Sequence, residues 1–117
     1  MNMNDLMCND KARKLLKTFL KLGNTAVKSN ALLSLECYEQ ADILYSNEQQ
    51  RTDDAYDDLR DILPNHKWEQ RLDEAIDSSE SDALNKYFER LMDKCKRSIE
   101  HHRDFKRFGI ELERKLG

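Results

Sequence analysis

The chain has 117 residues, 37% of them charged and 38% hydrophobic, with three glycines and one proline. This length suits one domain with its own core, so we expect a single helical domain over residues 1–117, with residues 1–8 as a flexible tail. So few glycines and prolines disfavour a β-sandwich with many turns. No uninterrupted apolar run exceeds three residues, which argues against a membrane-spanning helix.

The cysteines indicate a reducing environment. Cys8, Cys37 and Cys95 are odd in number, far apart in the sequence and without the spacing of a zinc site. The N-terminal residues lack the basic and apolar segments of a signal peptide. We therefore expect a cytoplasmic protein.

The net charge of −3 conceals three blocks of different sign. Residues 1–35 carry a balance of +4, residues 36–82 a balance of −11, and residues 83–117 a balance of +4. The basic, acidic, basic order is the strongest pattern in the sequence. This order indicates that a functional surface would lie in the acidic middle of the chain.

The first predicted helix is basic and amphipathic. Asn9 or Asp10 can cap it by accepting a hydrogen bond from a free backbone N–H, and Gly23 provides a residue that commonly ends a helix. Its polar side carries only bases. The apolar side repeats at helical spacing through Ala12, Leu15, Leu16, Phe19 and Leu22.

The segment from Asn30 to Tyr45 is the predicted centre of the fold. Apolar residues occupy nearly every side of it, and a helix without a polar face must be buried. We expect this second helix to begin near Asn24 or Thr25. Nine polar residues from Ser46 to Asp54 favour a break afterwards, although one continuous helix to residue 63 remains an alternative.

Two shorter helices are predicted next. Thr52 can cap the first, over residues 53–63, and Pro64 ends it because proline disfavours helix in the preceding residue. Asn65 can cap the second, from His66 to Asp77. The capping residues and the proline together fix the predicted boundaries.

A long last helix is predicted from Asp82 to about Lys115, which completes an all-α antiparallel bundle of four to five helices. Its apolar stripe continues past Ile99. At 1.5 Å per residue this helix would be about 50 Å long, more than a compact domain of this size needs. The end of this helix therefore either bends back at Gly109 or projects, and a projecting apolar stripe would most simply form a homodimer with a second copy.

The acidic middle is the leading candidate for a binding surface. Like charges four residues apart destabilise a helix, and the pairs Asp54–Asp58 and Asp57–Asp61 have this spacing. A cost of this kind can indicate a surface that binds a basic partner, and a merely solvated helix face is the alternative. The predicted partner-binding residues are Asp53, Asp54, Asp57, Asp58, Asp61, Trp68, Asp73 and Asp77.

The alternative site is the basic side of the first helix, where Arg13, Lys14, Lys17 and Lys21 could bind an anion such as nucleic acid. These residues could equally be solvated, or could face the acids of their own chain. No phosphate-binding loop, nucleophile motif or metal-ligand spacing occurs in the sequence. We expect no catalytic residue, no metal and no cofactor.

The sequence thus predicts a non-enzymatic protein–protein interaction module: an adaptor, regulator or inhibitor. An unidentified protein with a basic surface is the expected partner, and the acidic helices could imitate nucleic acid towards it. We expect exposed aromatic residues to anchor this partner, the candidates being Tyr56, Trp68, Tyr87 and Phe108. The alternative is a nucleic-acid-associated protein that uses its basic terminal helices, and membrane binding is not expected.

Overall fold

The computed structural model describes residues 7–22 and 30–101, together with the single positions 108, 110 and 114. Over these residues the chain forms a bundle of five α-helices and no strand. A short 3-10 helix, Glu48–Gln50, follows the second α-helix. The α-helices are α1 Asp10–Leu22, α2 Asn30–Ser46, α3 Asp53–Ile62, α4 His66–Asp77 and α5 Ala83–Glu100. The predicted all-α bundle is confirmed.

The predicted helix caps form. The Asn9 side chain accepts a hydrogen bond from the Ala12 N–H at 3.1 Å. Thr52 and Asn65 likewise cap α3 and α4 through their side-chain oxygens. The break after Ser46 is real, and α3 ends before Pro64, so the alternative of one continuous helix is wrong.

Helix α2 is the central element, as predicted. It packs against α1, α3 and most extensively α5. One part of the expectation is wrong, because a narrow side of α2 does meet solvent, where Ile43 is 50% exposed. The residues of α2 buried in the core are Leu32, Leu35, Cys37, Tyr38, Ala41 and Leu44.

The ends of the described chain differ from the expectation. Helix α5 ends at Glu100, where the His101 N–H bonds the carbonyls of both Arg97 and Ile99, so the single helix to Lys115 is wrong. The apolar period continues past this point, but a period carries no stop signal. Met7, assigned to a loose tail, is buried in the core. Residues 1–6 and the positions proposed for the start of the second helix, together with Gly23, lie outside the described residues.

The stripe of α5 is covered by its own domain. Its buried residues are Tyr87, Phe88, Leu91, Cys95 and Ile99, and they belong to the same core as the buried side of α2. The C-terminal part of the stripe, which was expected to project towards a second copy, lies mostly outside the described residues.

Candidate functional site

The acidic surface consists of the exposed carboxylates of α3 and α4. Helix α3 buries Tyr56 and Leu59 against the core, and its helical period turns the aspartates outwards. Every predicted aspartate is exposed, as the sequence pattern implied. The acidic surface comprises Asp53, Asp54, Asp57, Asp58, Asp61, Asp73 and Asp77.

Arg60 joins the two helices of this surface. Its guanidinium bonds Asp57 of α3 at 2.6 Å and Asp73 of α4 at 2.7 Å. The hydrogen bond to Asp73 is the main cause that raises the pKa of Arg60. One base thus holds two acids from different helices side by side, which makes the aspartates of α3 and α4 neighbours on one surface.

Most of the acidic surface is not neutralised within the chain. Across the described residues, five of its carboxylates form no ion pair: Asp53, Asp54, Asp58, Asp61 and Asp77. Asp53 and Asp54 lie in the first turn of α3, where the helix dipole favours negative charge. Asp61 lies in the last turn, where the dipole opposes it.

The prediction of exposed aromatic anchors is wrong. Tyr56, Trp68, Tyr87 and Phe108 are all buried, Trp68 being 8% exposed and Phe108 2%. The Tyr87 hydroxyl donates a hydrogen bond to the Trp68 carbonyl at 2.9 Å, and their rings meet edge to face with centroids 5.9 Å apart. The helical period placed Tyr56 and Trp68 on apolar stripes, but it left Tyr87 and Phe108 off the stripe of the last helix, and both are nevertheless buried.

The basic side of α1 is partly used within the chain. Arg13 bonds Asp10 and lies 3.8 Å from Asp42 of α2. Lys17 pairs with Glu39 of α2 at 3.2 Å. Lys14 is exposed, and the side chain of Lys21 lies outside the described residues. Two of the four predicted anion-binding residues therefore already hold carboxylates.

The structure also contains two surface grooves that the sequence did not reveal. One, of about 680 Å³, lies between α4 and α5; its lining includes the bases Arg71, Lys86 and Arg90 but also the acids Glu74 and Glu80. The other, of about 380 Å³, has a mixed lining from α2, α3, α5 and the turn at Pro64, which includes Cys37 together with Asp61 and Lys94.

The described residues offer no cluster of three His, Cys, Asp or Glu side chains that could hold a metal ion. Within the same residues, no helix combines the length and apolar character that a membrane span requires. Comparison of the chain with protein-family models, curated proteins and solved structures finds no match. The acidic surface is therefore the most distinctive feature on which a function can be argued.

Proposed function

We propose that the protein is a non-enzymatic interaction module whose acidic surface binds a basic protein. The observation that carries this proposal is the set of five exposed carboxylates with no ion pair among the described residues. They lie on α3 and α4, which Arg60 holds together. A basic partner would supply the missing counter-charges.

The physical role of such a surface is to attract and orient the partner. Like-signed charges concentrated on one surface raise the rate of encounter with an oppositely charged protein. Salt screens this attraction over a Debye length of about 8 Å at physiological ionic strength. The buried Trp68 is not an exposed anchor, so the proposal assigns the encounter to the carboxylates alone.

Imitation of nucleic acid is the form of this function that we favour. Double-stranded DNA presents one negative charge for about every 1.7 Å of its axis, and a partner built to bind phosphates would also bind closely spaced carboxylates. Such a partner could be displaced from the protein by DNA. Direct nucleic-acid binding is the weaker alternative, because Arg13 and Lys17 already pair with acids of their own chain.

Self-association through the last helix stays a prediction, because the C-terminal part that suggested it lies mostly outside the described residues. We keep the expected cytoplasmic location on the odd number and wide spacing of the cysteines in the sequence.

The experiment compares the wild-type protein with a variant of the acidic surface as baits in a lysate, half of which is treated with nuclease. Replacing Asp54, Asp57, Asp58 and Asp61 with asparagine removes four of its charges. A partner retained by the wild type should bind the variant at least tenfold more weakly, and added DNA should compete for it. Circular dichroism checks that the variant is folded.

The control variant also loses four negative charges, but from residues outside the acidic surface. Glu48, Glu80, Asp93 and Glu100 are exposed residues outside α3 and α4, and their amide variant has the same net charge as the test variant. Full binding by this control together with loss in the test variant supports the proposal. Equal recovery on all three baits contradicts it, and recovery that collapses on nuclease treatment favours the nucleic-acid alternative.

A further inference from the structure

Arg60 is a base that is bound within the acidic surface itself. Its Nη1 donates a hydrogen bond to Asp57 on α3 at 2.6 Å, and its Nη2 donates one to Asp73 on α4 at 2.7 Å. A guanidinium holds its donors in a rigid plane, so one arginine can bridge two carboxylates with a fixed geometry. The side chain thus makes, from within the molecule, the contact that a basic partner would make from outside.

The bridge is accessible to a competitor. The side chain of Arg60 is 34% exposed, and those of Asp57 and Asp73 are 69% and 57% exposed. Ion pairs between groups as exposed as these contribute little to stability, because water solvates the separated charges. A base from outside can therefore replace Arg60 at low cost.

Each of the two helices also has packing of its own. Helix α3 packs against α2 and buries Tyr56 and Leu59, whereas α4 packs against α5 and buries Trp68 and Leu72. These contacts do not involve Arg60. Loss of the bridge should therefore leave both helices in the bundle and release two carboxylates on its surface.

We propose that Arg60 is an internal counter-charge that competes with the basic partner for Asp57 and Asp73, and that the partner contacts these residues through arginine side chains. This inference rests on the proposed function, since it concerns the same surface. In the free protein Arg60 neutralises the two carboxylates. In the complex a guanidinium of the partner replaces it, and Arg60 turns to solvent.

The test uses a fluorescently labelled octa-arginine peptide as the basic probe, and fluorescence anisotropy measures its affinity. Arg60→Gln should bind the probe about fivefold more tightly than the wild type, because a unit charge close to a ligand changes binding by about this factor in a high dielectric. Arg97→Gln is the matched control, since it removes the same charge and frees Asp93 on α5, outside the acidic surface. At physiological ionic strength the control should gain less than about twofold.

A second measurement follows Arg60 directly in the wild-type protein. The guanidinium signals of Arg60 in nuclear magnetic resonance spectra, assigned by their absence from Arg60→Gln, should move towards those of a solvated arginine as octa-arginine is added. Octa-lysine should move them less at equal occupancy, because an ammonium lacks the rigid plane of donors. Arg60→Lys keeps the charge and should have an affinity for octa-arginine between those of the wild type and Arg60→Gln. Circular dichroism confirms that each variant is folded.

The variant with asparagine at positions 54, 57, 58 and 61 separates this inference from the proposed function. If that variant binds octa-arginine as tightly as the wild type, the acidic surface does not bind bases and the proposed function fails. If it loses the probe while Arg60→Gln binds no more tightly than Arg97→Gln, the role of Arg60 alone is overturned. Arg60 signals that stay unmoved at saturation also overturn it, and an equal displacement by octa-lysine overturns the assignment of arginine to the partner.

Discussion

Arg51 lies in the polar segment between α2 and α3, and its side chain contacts both α2 and α5. Its Nε donates to the Leu44 carbonyl at 2.7 Å, near the end of α2, where carbonyls lack helical partners. Its Nη2 donates to Asn85 of α5 at 2.7 Å. The guanidinium also lies 5.3 Å from the centroid of the Phe88 ring. The side chain thus fixes the turn after α2 against α5.

Replacing Arg51 with Met should destabilise the protein by about 2 kcal/mol, since hydrogen bonds of a charged donor contribute about 1.5–3 kcal/mol. Urea denaturation measures the change. Arg97→Met is the matched control, because Arg97 is 71% exposed and pairs only with Asp93 on its own helix. The control should change stability by at most about 0.5 kcal/mol. Equal losses in the two variants would mean that the contacts of Arg51 contribute nothing.

Some properties of individual side chains can be predicted from the sequence and others cannot. The exposure of the aspartates of α3 follows from the helical period alone, so it was predictable. The role of Arg51 was not, because its partners are seven and thirty-four residues away. The burial of Trp68 also depends on how helices pack against each other. No local pattern in the sequence contains that information.

At the scale of elements, local chemistry explains the boundaries that were predicted. Thr52, Asn65 and Pro64 act on backbone groups within a few residues, so the limits of α3 and α4 could be predicted to within one residue. The end of α5 at Glu100 could not, because no glycine or proline lies between Ala83 and His101 and the apolar period continues.

Helix α3 carries an electrostatic cost that a single substitution can relieve. Asp61 lies in its last turn, against the helix dipole, and four residues after Asp57. Asp61→Asn should therefore stabilise the protein by about 0.3–1 kcal/mol, as measured by urea denaturation. Asp53→Asn is the control and should destabilise it by a similar amount, because Asp53 lies in the favourable first turn.

The sign difference between these two variants is the critical result. If Asp61→Asn stabilises the fold and also weakens the partner, the chain retains a destabilising charge at a position where it serves binding. Destabilisation by Asp61→Asn would show that the carboxylate has a structural partner and would remove it from the acidic surface.

The whole molecule separates its charges rather than cancelling them. The bases of α1 meet Glu39 and Asp42 on α2, not the acidic surface on α3 and α4. Among the described residues, Arg60 is the one base that forms ion pairs with the aspartates of that surface. The negative potential of the middle block therefore remains available to a partner, and it becomes stronger as salt is lowered.

Buried tyrosines make the free energy of unfolding of the bundle depend on pH in the alkaline range. Burial is the first cause that raises the pKa of Tyr38 on α2, Tyr56 on α3 and Tyr87 on α5 above the ordinary value of 10.0. Above that value the unfolded chain loses these protons while the folded chain keeps them. The stability that they contribute is complete below pH 10 and is lost as the pH rises.

Tyr87→Phe should separate this effect from all other titrations, because the remaining groups are common to both proteins. At neutral pH the variant should be less stable by about 1 kcal/mol, since the Trp68 carbonyl loses its donor. Between pH 10 and 11 the wild type should lose about 1 kcal/mol more than the variant, because the unfolded tyrosine is only half ionised at pH 10 and releases its full proton only above pH 11. Urea denaturation at a series of pH values measures both quantities. Parallel stability curves above pH 10 would show that Tyr87 ionises as readily in the folded protein as in the unfolded chain, and hence that its hydroxyl is accessible to water.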